Sequence, residues 1–141
     1  MFGSMNRAAS AYAKVGVESA VISADPHRLI LMLFDGAKSA ISTARLQMEN
    51  NEIAEKGRNI SKAIDIIANG LKASLNVEEG GDLAQNLLAL YDYMCNRLLW
   101  ANQKNDLAAL DEVTMLLNEI REAWAEISPN KLAAQSSEAA A

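Results

Sequence analysis

The sequence is poor in the residues that break helices, form disulfides or supply nucleophilic catalysis. It contains two prolines, one cysteine and one histidine among 141 residues. The lone Cys95 cannot form an internal disulfide, so we expect a reducing compartment such as the cytoplasm. The lone His27 leaves no Ser-His or Cys-His pair, and a surface position is the favoured interpretation for it. No Glu-x-x-His pair is available for a di-metal site in a helical bundle. We therefore expect no enzyme activity, no metal and no cofactor.

Long apolar runs and an excess of positive charge are also missing. The longest apolar run covers six residues, 29–34, whereas a membrane-spanning helix needs about 20. The first ten residues lack the apolar stretch of a secretory signal. The formal net charge is −5, which disfavours nucleic-acid phosphates and anionic membrane surfaces as partners. The sequence predicts a soluble protein without membrane insertion and without a nucleic-acid partner.

Helical periodicity dominates what remains. Half of the residues are hydrophobic but only 5% are aromatic, and Ala, Leu, Ile and Met suit helix packing. Asp25 and Pro26 predict a capped helix start. Four segments carry apolar residues at steps of three and four, around Ile30–Met48, Ile53–Leu75, Leu83–Ala101 and Leu110–Ile127. Asn50 or Asn51 is predicted to cap the second helix. A turn is predicted at Glu79–Gly81, with Asp82 as the cap of the third helix, and residues 102–106 are the predicted connection to the fourth.

This pattern predicts an all-α fold, an up-down-up-down antiparallel four-helix bundle over residues 25–127. Residues 1–24 form an N-terminal segment with room for a short extra helix, and residues 128–141 form a flexible tail. In the second helix the predicted buried stripe is Ile53, Gly57, Ile60, Ile64, Ile67, Leu71 and Leu75. Gly57 is expected to allow a neighbouring helix to approach closely.

Several apolar side chains lie off the predicted core stripes. They are Leu31 and Met32 on the first helix, Leu88, Cys95 and Leu99 on the third, and also Ile66, Trp100 and Met115. Together they could line a groove that takes an amphipathic helix. Alternatively, the N-terminal segment or a second subunit covers them. The pattern alone favours neither interpretation.

Several motifs, in register over residues 12–127, resemble one family. Tyr12 is followed by Val-Glu-Ser-Ala at 17–20 and by Asp-Pro-His-Arg-Leu-Ile-Leu-Met-Leu-Phe-Asp-Gly-Ala at 25–37. Further matches are Lys-Ala-Ile-Asp-Ile-Ile at 62–67, Leu-Tyr-Asp-Tyr-Met at 90–94, Asn-Asp at 105–106 and Ala-Trp at 123–124. These features are similar to those of FliS proteins. Asp25 stands where the family often has Ser, which exchanges one N-capping residue for another.

The resemblance implies a cytoplasmic chaperone that binds the disordered C-terminal region of flagellin. Such a chaperone prevents premature polymerisation and presents flagellin to a component of the type III export gate. We expect a monomer or weak dimer, with Leu31, Met32, Leu88, Cys95 and Leu99 as the flagellin-binding residues. Tyr12, Val15 and Val17 are predicted to form a displaceable lid, with a permanent core role for Tyr12 as the alternative. The alternative function is a self-associating structural bundle, an obligate homodimer.

Overall fold

The computed structural model of the protein describes residues 25–127. It contains four α-helices in this range, α1 (Pro26–Glu49), α2 (Ile53–Ile66), α3 (Val77–Lys104) and α4 (Leu107–Glu126). α2 continues through a π turn at Ile67–Leu71 and a 3-10 turn at Lys72–Ser74. The described residues include no strand. The predicted all-α fold is confirmed.

Short polar caps begin three of the four helices. The Asp25 side chain accepts a hydrogen bond from the Arg28 backbone N–H at 2.7 Å, and Pro26 takes the first helical position. This cap was correctly predicted from the sequence. Asp106 caps α4 in the same way through Ala109 N–H at 3.2 Å. Such side chains satisfy backbone donors that have no partner within the helix.

Two predicted caps were wrong. α2 has Glu52 at its N-cap with no side-chain cap hydrogen bond, and Asn51 instead turns the chain with a φ of 58°. α3 is capped by Asn76, which accepts from Glu79 N–H, rather than by Asp82. The extra helical turn before Asp82 explains the second error, because Gly81 interrupts α3 with φ 55° and ψ −135°. Only glycine adopts that backbone conformation at low cost.

The helices form a square in which each packs against two others. α1 contacts α2 and α4, and α3 contacts the same two helices. His27 at the start of α1 contacts Trp124 at the end of α4. Lys72, after α2, contacts Asp92 on α3. Neighbours are therefore antiparallel, and α1 and α3 begin at the end of the bundle where α4 finishes, here called the lower end.

The core is built from one apolar face of each helix, with a local rearrangement in α2. Ile66 was predicted to lie off the core stripe, yet it is 1% exposed, and Ile67 is fully buried. The π turn that begins at Ile67 inserts an extra residue into the helical turn, so two consecutive isoleucines can both face neighbours. The other fully enclosed large side chains are Leu33, Phe34, Ile41, Ile60, Leu71, Met94, Leu98, Leu110, Val113 and Leu117.

Four predicted stripe members depart from the core. Ile53 is 56%, Leu83 69% and Ile127 39% exposed, because all three lie near the ends of the bundle. Gly57 is not needed for a close helix approach. A Cβ added there would meet the Asn102 side chain at 3.8 Å, an ordinary van der Waals distance. Ile64 is partly buried and packs against the core.

Candidate interaction surface

Three of the predicted site residues form one line along α3. Leu88, Cys95 and Leu99 are seven and eleven residues apart, which places them within about 40° of one another around the helix axis. Leu88 and Cys95 are half-buried, and Leu99 is 55% exposed. We call these residues the α3 line. Its exposure increases towards Leu99, so an apolar partner could contact it without displacing the core.

Cys95 shows which neighbour the α3 line faces. Its Sγ lies 4.0 Å from the backbone oxygen of Ile64 on α2. Burial raises the pKa of the Cys95 thiol, Asp92 raises it further, and Lys72 partly opposes them. The thiol is therefore protonated at neutral pH and acts as a small apolar side chain. The α3 line borders the seam between α2 and α3.

Polar contacts bridge this seam within and beyond the α3 line. Lys72 Nζ donates to Asp92 Oδ1 at 2.6 Å, at a level between Leu88 and Cys95. Beyond Leu99, Lys56 Nζ donates to Asn102 O at 2.9 Å and to Asn105 Oδ1 at 2.6 Å. Lys56 is only 3% exposed. Its aliphatic chain lies on the core side of α2, and its ammonium group donates to two carbonyl oxygens. The apolar periodicity of α2 did not predict this burial, because lysine is a polar residue in that pattern.

Leu31 and Met32 do not join the α3 line. Both are half-buried on α1, and consecutive helical residues point about 100° apart. Leu31 lies one turn from His27 and from Asp35, which both contact α4. The structure therefore brings together three of the five predicted residues and points the other two in different directions on α1.

The seam between α1 and α4 is closed by polar contacts along its length. His27 and Trp124 stack with ring centroids 5.1 Å apart. His27 Nε2 donates to Trp124 O at 2.8 Å, and Trp124 Nε1 donates to His27 O at 3.0 Å. His27 is thus half-buried and tied to α4, rather than simply at the surface as expected. Its partner lies 97 residues away, so no local pattern could have identified this pair.

Two arginine–carboxylate pairs continue the same seam. Arg121 Nε donates to Asp35 Oδ1 at 2.6 Å, and Arg45 Nε donates to Asp111 Oδ1 at 2.7 Å. The Arg45 guanidinium lowers the pKa of the Asp111 carboxyl through this hydrogen bond. These contacts occupy the outer surface between α1 and α4, which leaves the α2–α3 seam as the better candidate for an apolar partner.

Two aromatic side chains of α3 are exposed beside the α3–α4 seam, Tyr93 at 42% and Trp100 at 45%. Met115 is 54% exposed and points away from the core on the outer face of α4. Glu112 crosses this seam, accepting from Tyr93 Oη at 2.8 Å and from Arg97 Nε at 2.7 Å. Tyr93 was not among the predicted site residues. Tyr93 is next to Met94, which belongs to the core stripe, and the exposure of Tyr93 became visible only once the packing of α3 against α4 was known.

The predicted lid residues Tyr12, Val15 and Val17 lie outside the described residues. Between residues 25 and 127, no group of three or more His, Cys, Asp or Glu side chains could hold a metal ion. In the same range, no helix is long and apolar enough to cross a membrane.

Comparison with known proteins identifies the family. A family model described as Flagellar protein FliS matches residues 8–131. The chain belongs to the FliS family. The chain is 60% identical over 119 residues to the flagellar secretion chaperone FliS of Salmonella typhimurium, covering 84% of this chain and 88% of the relative. It is 52% identical over 122 residues to that of Escherichia coli strain K12, covering 85% and 90%. It is 37% identical over 107 residues to that of Bacillus subtilis strain 168, covering 76% and 78%.

Membership in FliS agrees with the fold and with the character of the surface. Relatives named flagellar secretion chaperones identify the chain as a member of a chaperone family of flagellum biogenesis. A chaperone identity implies a binding protein rather than an enzyme. The relevant feature of this FliS protein is therefore an apolar surface, and the α3 line is such a surface.

Proposed function

We propose that this FliS protein binds the C-terminal region of flagellin in the bacterial cytosol, prevents its premature polymerisation and aids its delivery to the type III export gate. The observation that carries the proposal is the α3 line, a run of apolar side chains ending in the 55% exposed Leu99, in a chain of the FliS family. An apolar helix face of the client would pack on this line and remain unavailable for filament assembly.

The positions of Leu31 and Met32 favour an extended client over a single docked helix. Leu31 lies on the side of α1 towards α4, one turn from His27 and from Asp35, and Met32 points about 100° away from it. One straight helix on the α2–α3 seam could not contact Leu31 and also the α3 line. A disordered segment that wraps around the bundle could, and its longer interface would offset the entropy lost on ordering.

The sharpest test compares two leucines of similar exposure. Leu99→Glu places a charge on the proposed client surface, and we expect flagellin binding to weaken at least tenfold, or about 1.4 kcal/mol. Leu46→Glu is the matched control, since Leu46 on α1 is 59% exposed and outside the proposed surface. Isothermal titration calorimetry with a flagellin C-terminal peptide measures both affinities, and circular dichroism checks that helicity is unchanged.

Equal affinities for the two variants would exclude the α3 line as the client surface. Unfolding of the Leu99→Glu variant would instead assign Leu99 to the core. Flagellin lacking its C-terminal segment should fail to bind the unaltered chaperone. If it still binds, the proposed client region is wrong.

The self-associating bundle remains the alternative function, and exposed apolar side chains beside two seams favour it equally well. Sedimentation velocity over a hundredfold dilution separates the two functions. An obligate homodimer keeps the sedimentation coefficient of a dimer at every concentration, whereas the proposed chaperone sediments as a monomer throughout or shifts to the monomer's value on dilution.

A further inference from the structure

Gly57 is a helical glycine that the fold itself does not require. It lies inside α2, and its φ is not positive, unlike that of Gly81. A Cβ added at Gly57 would meet only the Asn102 side chain, at 3.8 Å. Glycine inside a helix nevertheless lowers the folding equilibrium constant about two- to fivefold relative to alanine. Because neither backbone conformation nor helix packing needs a glycine here, the missing side chain points to a use outside the fold.

Gly57 belongs to a line of residues on α2 that borders the same seam as the α3 line. Ile53, Gly57 and Ile64 point within about 40° of one another around α2, and we call them the α2 line. The Ile64 backbone oxygen lies 4.0 Å from Cys95 Sγ. Ile64 and Gly57 are half-buried, whereas Ile53 is 56% exposed. Both lines therefore become more exposed in the same direction, away from the lower end of the bundle, since Leu99 is the exposed member of the α3 line.

The position of Gly57 along the seam is a gap between two exposed apolar side chains. Ile64 is level with Cys95. With a rise of about 1.5 Å per residue, Leu99 lies about 6 Å beyond that level, Gly57 about 10 Å and Ile53 about 16 Å. Leu99 and Ile53 are thus about 10 Å apart along the seam, with the missing side chain between them. About three residues of extended chain, or two turns of a helix, span this distance.

We propose that Gly57 is an open position of the client surface. The flagellin segment that covers Leu99 continues along the seam to Ile53, and its chain packs where a side chain at residue 57 would lie. This inference rests on the proposed function and extends the client surface from α3 to α2. Continuity selects the same partner, because the gap opens directly beyond the α3 line. The neighbouring Lys56 is 3% exposed and its ammonium already donates to two oxygens, so covering the gap removes no unpaired charge from water.

Filling the gap in the full chain should separate client binding from stability. Gly57→Leu is expected to weaken binding of a flagellin C-terminal peptide about five- to hundredfold, the effect of overpacking a filled contact, without lowering the urea midpoint. Gly57→Ala should raise the folding equilibrium constant about two- to fivefold and weaken peptide binding by a smaller factor. Ser39→Leu is the matched control, because it adds the same side chain at an exposed position of α1, seven residues before Leu46 on the same face. Calorimetry and urea unfolding measure all four proteins.

Each other outcome contradicts the open position. A lower urea midpoint for Gly57→Leu would assign the space at residue 57 to the fold. Peptide affinity equal to that of Ser39→Leu would show that the client passes elsewhere, and tighter binding would show that the client leaves the gap empty. If the peptide binds the unaltered protein and both Gly57 variants equally, only this inference fails. If the peptide does not bind even the unaltered protein, the proposed function is wrong as well.

Discussion

At the scale of single residues, Gly81 holds the most demanding backbone conformation. Its φ of 55° and ψ of −135° separate the first turn of α3 from the rest of that helix. A Cβ added there would meet no atom within 4 Å, so any cost of Gly81→Ala comes from the backbone alone. We expect this variant to lose about 1–3 kcal/mol in the free energy of unfolding, measured by urea denaturation.

Gly57→Ala makes the same chemical change and serves as the control. Gly57 lies inside α2, and the added Cβ would find ordinary contact with Asn102 at 3.8 Å. The alanine should stabilise the protein by roughly 0.5–1 kcal/mol, because glycine is a poor helix former. A lower free energy of unfolding for Gly81→Ala together with a higher one for Gly57→Ala would support the kink at Gly81. Stabilisation by both would mean that α3 continues straight through residue 81.

At the scale of helices, the α3–α4 seam is sensitive to acid through Glu112. Hydrogen bonds from Tyr93 and Arg97 lower the pKa of this carboxyl below its ordinary value of 4.5. The unfolded chain therefore binds the proton first as the pH falls. The stabilisation is present above about pH 4.5 and is lost as the pH falls through the lower folded-state value. Because Glu112 is solvent-accessible, the contribution is modest.

The variant Glu112→Gln should consequently lose less stability than the unaltered protein between about pH 6 and pH 3. Glu119→Gln, at an exposed glutamate of the same helix, controls for the general effect of removing a negative charge. Urea unfolding at both pH values provides the measurement. The assignment fails if Glu119→Gln and Glu112→Gln reduce the acid sensitivity equally.

Local pattern predicted the helices well and their irregularities poorly. Asp25 with Pro26 identified the start of α1, because a cap and a fixed φ depend only on adjacent residues. Ile66 was misplaced because the helical wheel assumes an uninterrupted α-helix, and the π turn changes the angle from one isoleucine to the next. The burial of Lys56 could not be predicted from the sequence, because the two oxygens that accept hydrogen bonds from its ammonium group lie at the end of α3.

The candidate site was predicted only in part, because the spacing of residues along one helix does not show how the helices pack together. Leu88, Cys95 and Leu99 share one helix, so their common face follows from spacing alone. Whether Leu31 and Met32 join that face depends on how four helices pack, which the sequence pattern does not specify. The contacts of His27 and Asp35 with α4 place Leu31 on another flank.

At the scale of the whole molecule, the seams of the bundle differ in what they offer a partner. The α1–α4 seam is occupied by a ring stack and two arginine–carboxylate pairs. The α2–α3 seam carries the apolar α3 line and one ion pair, between Lys72 and Asp92. An apolar client that covers this seam would remove one ion pair from water, whereas covering the α1–α4 seam would remove two. This asymmetry argues for the α2–α3 seam as the principal client surface.

Deleting residues 1–17 tests the lid predicted around Tyr12, Val15 and Val17. Burial of one such side chain contributes roughly 1.5–3 kcal/mol, against about 1–2 kcal/mol for each backbone residue ordered. These terms nearly cancel, so the lid should be bound but easily released. A lid closed about 90% of the time weakens apparent client affinity about tenfold.

The truncated protein should therefore keep its urea midpoint, bind the flagellin peptide as tightly or up to about tenfold more tightly, and aggregate more readily when alone. Calorimetry and light scattering measure the last two. A large fall in the urea midpoint would instead make Tyr12 a permanent core residue. Retained folding with loss of peptide binding would place the segment within the client site, because a lid that only competes with the client cannot be required for its binding.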